Sequence, residues 1–159
     1  MSSHPSNDVT INAAFLQEIK EVNQELWVLM DDLRNLCAHP ISVWRHGRHL
    51  VNLLANMRDH LAMHFALEEA YGYFHDPAEP DPVISAHAIH LRGQHSQLYS
   101  QCSQLADHAE NLYRERDDAS LTTVLPVLID EYLHVLMTHE SDETELIYRA
   151  MYEEIGVAD

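Results

Sequence analysis

Apolar residues recur at three- and four-residue intervals along most of this chain, and that spacing admits little besides packed helices. Phe15, Ile19, Val22, Leu26, Leu29, Leu33 and Leu36 trace one stripe, and Leu50, Leu53, Met57, Leu61 and Tyr71 a second. Ile84, Leu91, Leu98, Cys102, Leu105, Ala109 and Leu112 trace a third, and Leu121, Leu125, Leu128, Tyr132, Val135, Leu146 and Ala150 a fourth. Breaks at His39-Pro40, at the proline-rich run 75–82 and at the polar run 115–120 divide these stripes. With four glycines and no Asn-Gly or Asp-Gly hairpin signal, no strand is expected. The helices should cover about residues 10–38, 42–74, 83–116 and 121–155, with Pro126 tolerated in the first turn of the last. Long helices on short connections imply an all-α chain, an up-down-up-down four-helix bundle occupying residues 1–159 as one domain.

The stripes are interrupted in a regular way. His64 and Glu68 fill apolar slots of the second, His95 of the third, and His139 and Glu143 of the fourth. A four-residue step turns a helix by ~400°, so each His–Glu pair lies on one face, about 6 Å apart along the axis. The two pairs are offset by 75 residues at both positions, and Asn23 holds the place in the first stripe that His95 holds in the third. In an antiparallel bundle the sets Asn23, His64, Glu68 and His95, His139, Glu143 can meet at one level. Burying such groups without partners costs several kcal/mol for each charge, and a bound cation offsets that cost. Imidazole nitrogen with carboxylate oxygen suits iron, manganese or zinc, and a carboxylate can bridge two ions.

Composition narrows the partners. The formal charge of −17, from 26 Asp and Glu against 9 Lys and Arg, repels nucleic acid and anionic membranes, so neither is expected. Disorder is excluded by an apolar content of 46 %. Cys37 and Cys102 are too few for a disulfide framework or a cysteine-rich zinc module. Residues 1–10 lack the pattern of a signal peptide, and no apolar stretch approaches the ~20 residues that span a bilayer. A cytoplasmic location is the expectation. What composition leaves open is why so acidic a chain carries 13 histidines.

The motifs His64-Phe65-x-x-Glu68-Glu69, Gln94-His95 and His139-x-x-x-Glu143, in this order and on the inward stripes, resemble the haemerythrin-like (HHE cation-binding) family over about residues 12–152. The resemblance implies a four-helix bundle around a non-haem, usually di-iron, centre that binds dioxygen or related small ligands. It implies that His64, His95 and His139 are terminal ligands and that Glu68 and Glu143 bridge the metals. Two ions are expected, one as the alternative, with zinc or manganese as alternative metals. The chain departs from the family pattern at Asn23, where the family has a helix-one histidine. It also has Leu91 and Tyr99, one turn either side of His95, where oxygen carriers have a second histidine.

Further candidates stand near these positions, either as ligands or as partners of ligands: Asn23, His60, His90, Tyr99 and His134. His46, His49, His75, His87 and His108 read as surface or loop residues. The ferritin-type pattern needs two Glu-x-x-His motifs, and the chain has only Glu131-x-x-His134. The expected function is binding of dioxygen, nitric oxide or peroxide for sensing, detoxification or storage. A di-iron oxidase- or peroxidase-like enzyme and a zinc-binding, non-redox bundle are the alternatives.

Overall fold

The computed structural model describes residues 9–76 and 81–156, with side chains to residue 152. Helix dominates: α1 Ala13–Val22, α2 Gln24–Cys37, α3 Pro40–Arg45, α4 Gly47–Leu67, α5 Pro82–Arg114, α6 Asp118–Thr123 and α7 Leu125–Gly156. The all-α expectation holds, and the boundaries differ for local reasons. Asn12 caps α1 by accepting a hydrogen bond from the Phe15 amide at 3.2 Å, and Asn23 interrupts the first long stretch between α1 and α2. Proline opens α3, Asp117 caps α6 through the Ser120 amide, and Pro126 sits in the first turn of α7 as expected. The run Glu115–Ser120, expected as a break, includes the start of α6.

The second stretch ends differently from the expectation. After Leu67 the helix widens into a π-turn, Glu68–Gly72, and the chain then leaves as strand β2, Tyr73–His75. This strand pairs antiparallel with β1, Val9–Ile11, in the register Val9↔His75, Thr10↔Phe74, Ile11↔Tyr73. No strand was expected, because three residues are too few to show an alternating pattern. The turn is held by the Asn12 amide donating to the Gly72 carbonyl at 2.7 Å. Gly72 is required there, since a methyl group at its α-carbon would overlap the Leu16 side chain.

Phe15, Val22, Tyr71 and Val135, expected in the interior, are exposed. On α1 the buried row is Ala13, Leu16 and Lys20, one residue out of phase with the expected stripe. Tyr71 lies inside the π-turn, whose extra residue per turn rotates it outward and brings Gly72 and Tyr73 in. On α7 the buried residues run Tyr132, Leu133, Leu136, His139, Glu140, Glu143, Leu146 and Ile147, so Leu136 takes the place expected of Val135.

The chain divides into two compact units. Of the described residues, the first takes in 9–23, 64–76, 81–95 and 138–156. Its apolar core joins Val9, Ile11, Ala13 and Leu16 to Tyr73, Ile84, Ala88, Leu91, Leu146, Ile147 and Ala150. The second comprises residues 24–63 and 96–137, with fully buried Leu26, Leu33, Leu50, Leu54, Met57, Leu61, Leu121, Leu125 and Ile129. Tyr132 there donates to the Leu98 carbonyl at 2.7 Å. One helical stretch, Asp118–Tyr152, is long and apolar enough by composition to cross a bilayer, where the sequence pattern led us to expect none. Its buried face carries His139, Glu140 and Glu143 beside leucines, and the apolar face of a core helix passes the same test.

Candidate metal centre

Within the first unit, helix periodicity brings five expected residues together. His64 and Glu68 come from the end of α4 and the start of the π-turn, His95 from α5, and His139 and Glu143 from α7. All five are buried. His64 Nε2 lies 3.3 Å from Glu68 Oε1, and His95 Nε2 lies 3.6 Å from the same oxygen. Glu143 Oε2 is 3.5 Å from His95 Nε2 and 3.6 Å from His139 Nε2. These are gaps between groups that converge on shared points, longer than hydrogen bonds.

Three residues join the centre that the sequence reading did not single out. Glu140 places Oε1 3.3 Å from His64 Nε2. Lys20 donates to Glu140 Oε2 and, at 2.8 Å, to Glu143 Oε1. Tyr73 donates its hydroxyl to Glu143 Oε2 at 2.7 Å. Each left a trace in the sequence. Glu140 stands four residues after Leu136 and three before Glu143, on the buried face of α7. Lys20 continues the row Ala13, Leu16 and is the only lysine in the sequence. Tyr73 left the weakest trace, because its inward position depends on the π-turn.

The ring nitrogens that face away from the centre are also engaged. The Asn23 amide meets His64 Nδ1 at 2.9 Å, so Asn23 backs a histidine rather than joining the cluster of carboxylates and imidazoles. Gln94 Oε1 accepts from His139 Nδ1 at 2.7 Å, which puts the proton on Nδ1 and turns the Nε2 lone pair inward. Phe65 stacks on His95 with ring centroids 4.1 Å apart, fixing that imidazole by packing.

The other candidates lie elsewhere. His60 pairs with Glu25 at 3.2 Å, and His90 is exposed and meets the Gln94 amide at 3.1 Å. Tyr99 and His134 are both exposed and belong to the second unit. A five-residue step turns His90 and His134 about 140° from His95 and His139, while Tyr99, four residues after His95, stays near that face but at its exposed edge. His46, His49, His75 and His108 are exposed and His87 half-buried, and Cys37 and Cys102 are free thiols.

The electrostatics follow from burial and neighbours. Burial, and then the adjacent Glu143 carboxylate, push the Glu68 carboxyl well above its usual range. Burial acts the same way on Glu143, but the neighbouring His139 and His95 imidazoles and the Lys20 ammonium outweigh it and hold that carboxyl well below. Burial also opposes the charge on Glu140, where the adjacent His64 imidazole and the Lys20 ammonium prevail and keep its carboxyl low. For Lys20 burial favours the neutral amine, yet Glu143, Glu140 and Glu68 together hold the ammonium above its ordinary value.

Among the described residues, seven buried side-chain atoms have no hydrogen-bond partner: His64 Nε2, both Glu68 oxygens, both His95 nitrogens, His139 Nε2 and Glu140 Oε1. Unsatisfied buried polar atoms are rare in native proteins, and here they are gathered in one centre. Among the described residues, two overlapping groups have the ligand types and proximity to hold a metal ion: His95, His139 and Glu143, and His64, Glu68, Glu140 and Glu143. Comparison with protein-family models, with curated proteins and with solved structures finds no match to this chain.

Proposed function

We propose that this chain is a haemerythrin-like, non-haem iron protein, a cytoplasmic four-helix bundle whose buried centre holds up to two ions. The observation that carries this reading is the set of orphaned imidazole and carboxylate atoms at that centre. Leaving each such group unpaired costs about 1–3 kcal/mol, more where charged, and a divalent ion satisfies several at once. His64, His95 and His139 would supply nitrogen, and Glu68, Glu140 and Glu143 oxygen. Glu143 is common to both ligand groups and is therefore the natural bridge between two ions.

Iron supplies a Lewis-acidic, redox-active position for a small ligand: dioxygen, nitric oxide or peroxide. The chain's own residues orient the imidazoles through Gln94 and Asn23 and exclude water with Phe65. Asn23 Nδ2 donates to His64 Nδ1 in this structure, so ligation through His64 Nε2 requires the Asn23 amide to turn over and accept from Nδ1–H. Sensing, detoxification or storage of that small ligand is the function this arrangement supports best. The first ligand group by itself, two imidazoles and a carboxylate, also suits zinc, which supports a non-redox reading of the same site.

The deciding experiment is metal analysis of protein made in iron-replete medium, with the visible spectrum of the oxidised form. Bound iron that is lost in His139→Ala and Glu143→Ala is the expected result. Zinc alone, or no metal with all three histidines intact, would sink the iron reading.

A further inference from the structure

The two ligand groups are chemically unequal. One offers two imidazoles and one carboxylate, the other one imidazole and three carboxylates. Lys20 adds to the imbalance. Its ammonium holds Glu140, which belongs only to the second group, and the Oε1 atom of Glu143. The other Glu143 oxygen, Oε2, faces His95 and His139. Thus the first group keeps its carboxylate oxygen turned toward its imidazoles, while two carboxylates of the second already bind a cation.

We propose that Lys20 acts as a built-in cation that makes the two metal positions unequal, so that one ion binds tightly at His95, His139 and Glu143 and a second binds weakly at His64, Glu68 and Glu140. The proposal rests on the metal reading above. A second ion must share Glu140 and Glu143 with a fixed positive charge in a buried site, where repulsion between like charges is only weakly screened. The charge balance points the same way. With all three buried carboxylates ionised, as ligation requires, they and one ammonium leave two negative charges, which one divalent ion neutralises. Asn23 adds no compensating charge on the second side, since it meets His64 through a neutral amide.

Cobalt(II) alone is a suitable probe: its visible bands report coordination number and geometry, and metal analysis after gel filtration counts retained ions. In the full chain the first equivalent should bind at least about tenfold more tightly than the second. Lys20→Met should close that gap, while Lys20→Arg, which keeps the charge, should preserve it. Two equally tight ions in the unsubstituted protein, or an unchanged gap in Lys20→Met, would overturn the proposal while leaving the metal reading intact. No retained ion in any of these proteins overturns both. Should Lys20→Met fail to fold by circular dichroism, Glu140→Gln decides the matter. It should abolish the second equivalent and spare the first, and loss of the first would count against the proposal.

Discussion

The two units of this chain have interiors of opposite character. Among the described residues, every buried polar or charged side chain (Lys20, His64, Glu68, Ser85, His95, His139, Glu140 and Glu143) belongs to the first unit. The second fills its interior with leucine, isoleucine, methionine, valine and alanine, with Cys102 and Tyr132 as its most polar members. An apolar interior is stable as built, because its contacts need nothing from outside. An interior of orphaned carboxylates and imidazoles gives up part of that stability. The contrast separates the residues that hold the fold from those that would hold an ion on the reading proposed above.

The largest effect should come from the apolar side. Leu54 is fully buried in the second unit, and Leu54→Ala should cost about 2–5 kcal/mol in urea denaturation, equally with and without metal. A cost that depended on metal would break the division between the units. Metal itself should add roughly 2.7 kcal/mol at a hundredfold excess over its dissociation constant. That gain should appear as slower amide exchange in residues 64–95 and 138–152. Equal slowing throughout residues 24–63 would show that the second unit responds as well.

A smaller effect has the opposite sign. Glu68→Gln should stabilise the metal-free protein at neutral pH by on the order of 1 kcal/mol while weakening metal binding. The sign follows from proton linkage. The folded Glu68 carboxyl sits above its ordinary value of 4.5, so the folded state keeps a proton that the unfolded chain has lost. Metal-free stability from this group therefore falls as pH rises from about 4.5 through the folded value, and the Gln variant lacks that slope. Glu140 and Glu143 act conversely. Their contribution is present above the ordinary value of 4.5 and is lost as pH falls through their lowered folded values. Thermal melts of both proteins across this range would test the linkage. Smallest of all, Val22→Thr should change stability by no more than about 0.5 kcal/mol, as befits an exposed position.

That last prediction bears on what the sequence could reveal. His64, Glu68, His95, His139 and Glu143 were legible because a polar residue in an apolar stripe of helical period has few places to go but the interior. Lys20 was hidden by a decoy. Phe15, Ile19 and Val22 form an apolar series of the same period, and exposed apolar residues are common enough for such a series to face solvent. Glu140 was masked by its neighbour His139, since two adjacent residues of one helix seldom both suggest the interior. Tyr73 and the β1–β2 ribbon depend on the π-turn at Glu68–Gly72, a change of helical period over five residues that apolar spacing cannot register. The break at Asn23 was missed because the apolar spacing continues across it.

The buried ammonium of Lys20 has a practical corollary for handling the protein. Since this sequence contains no other lysine, a lysine-specific protease has a single place to cut within it, and the folded state keeps that place inside. Cleavage after Lys20 is then a yes-or-no signal that the first unit has opened, read as one new band on a gel.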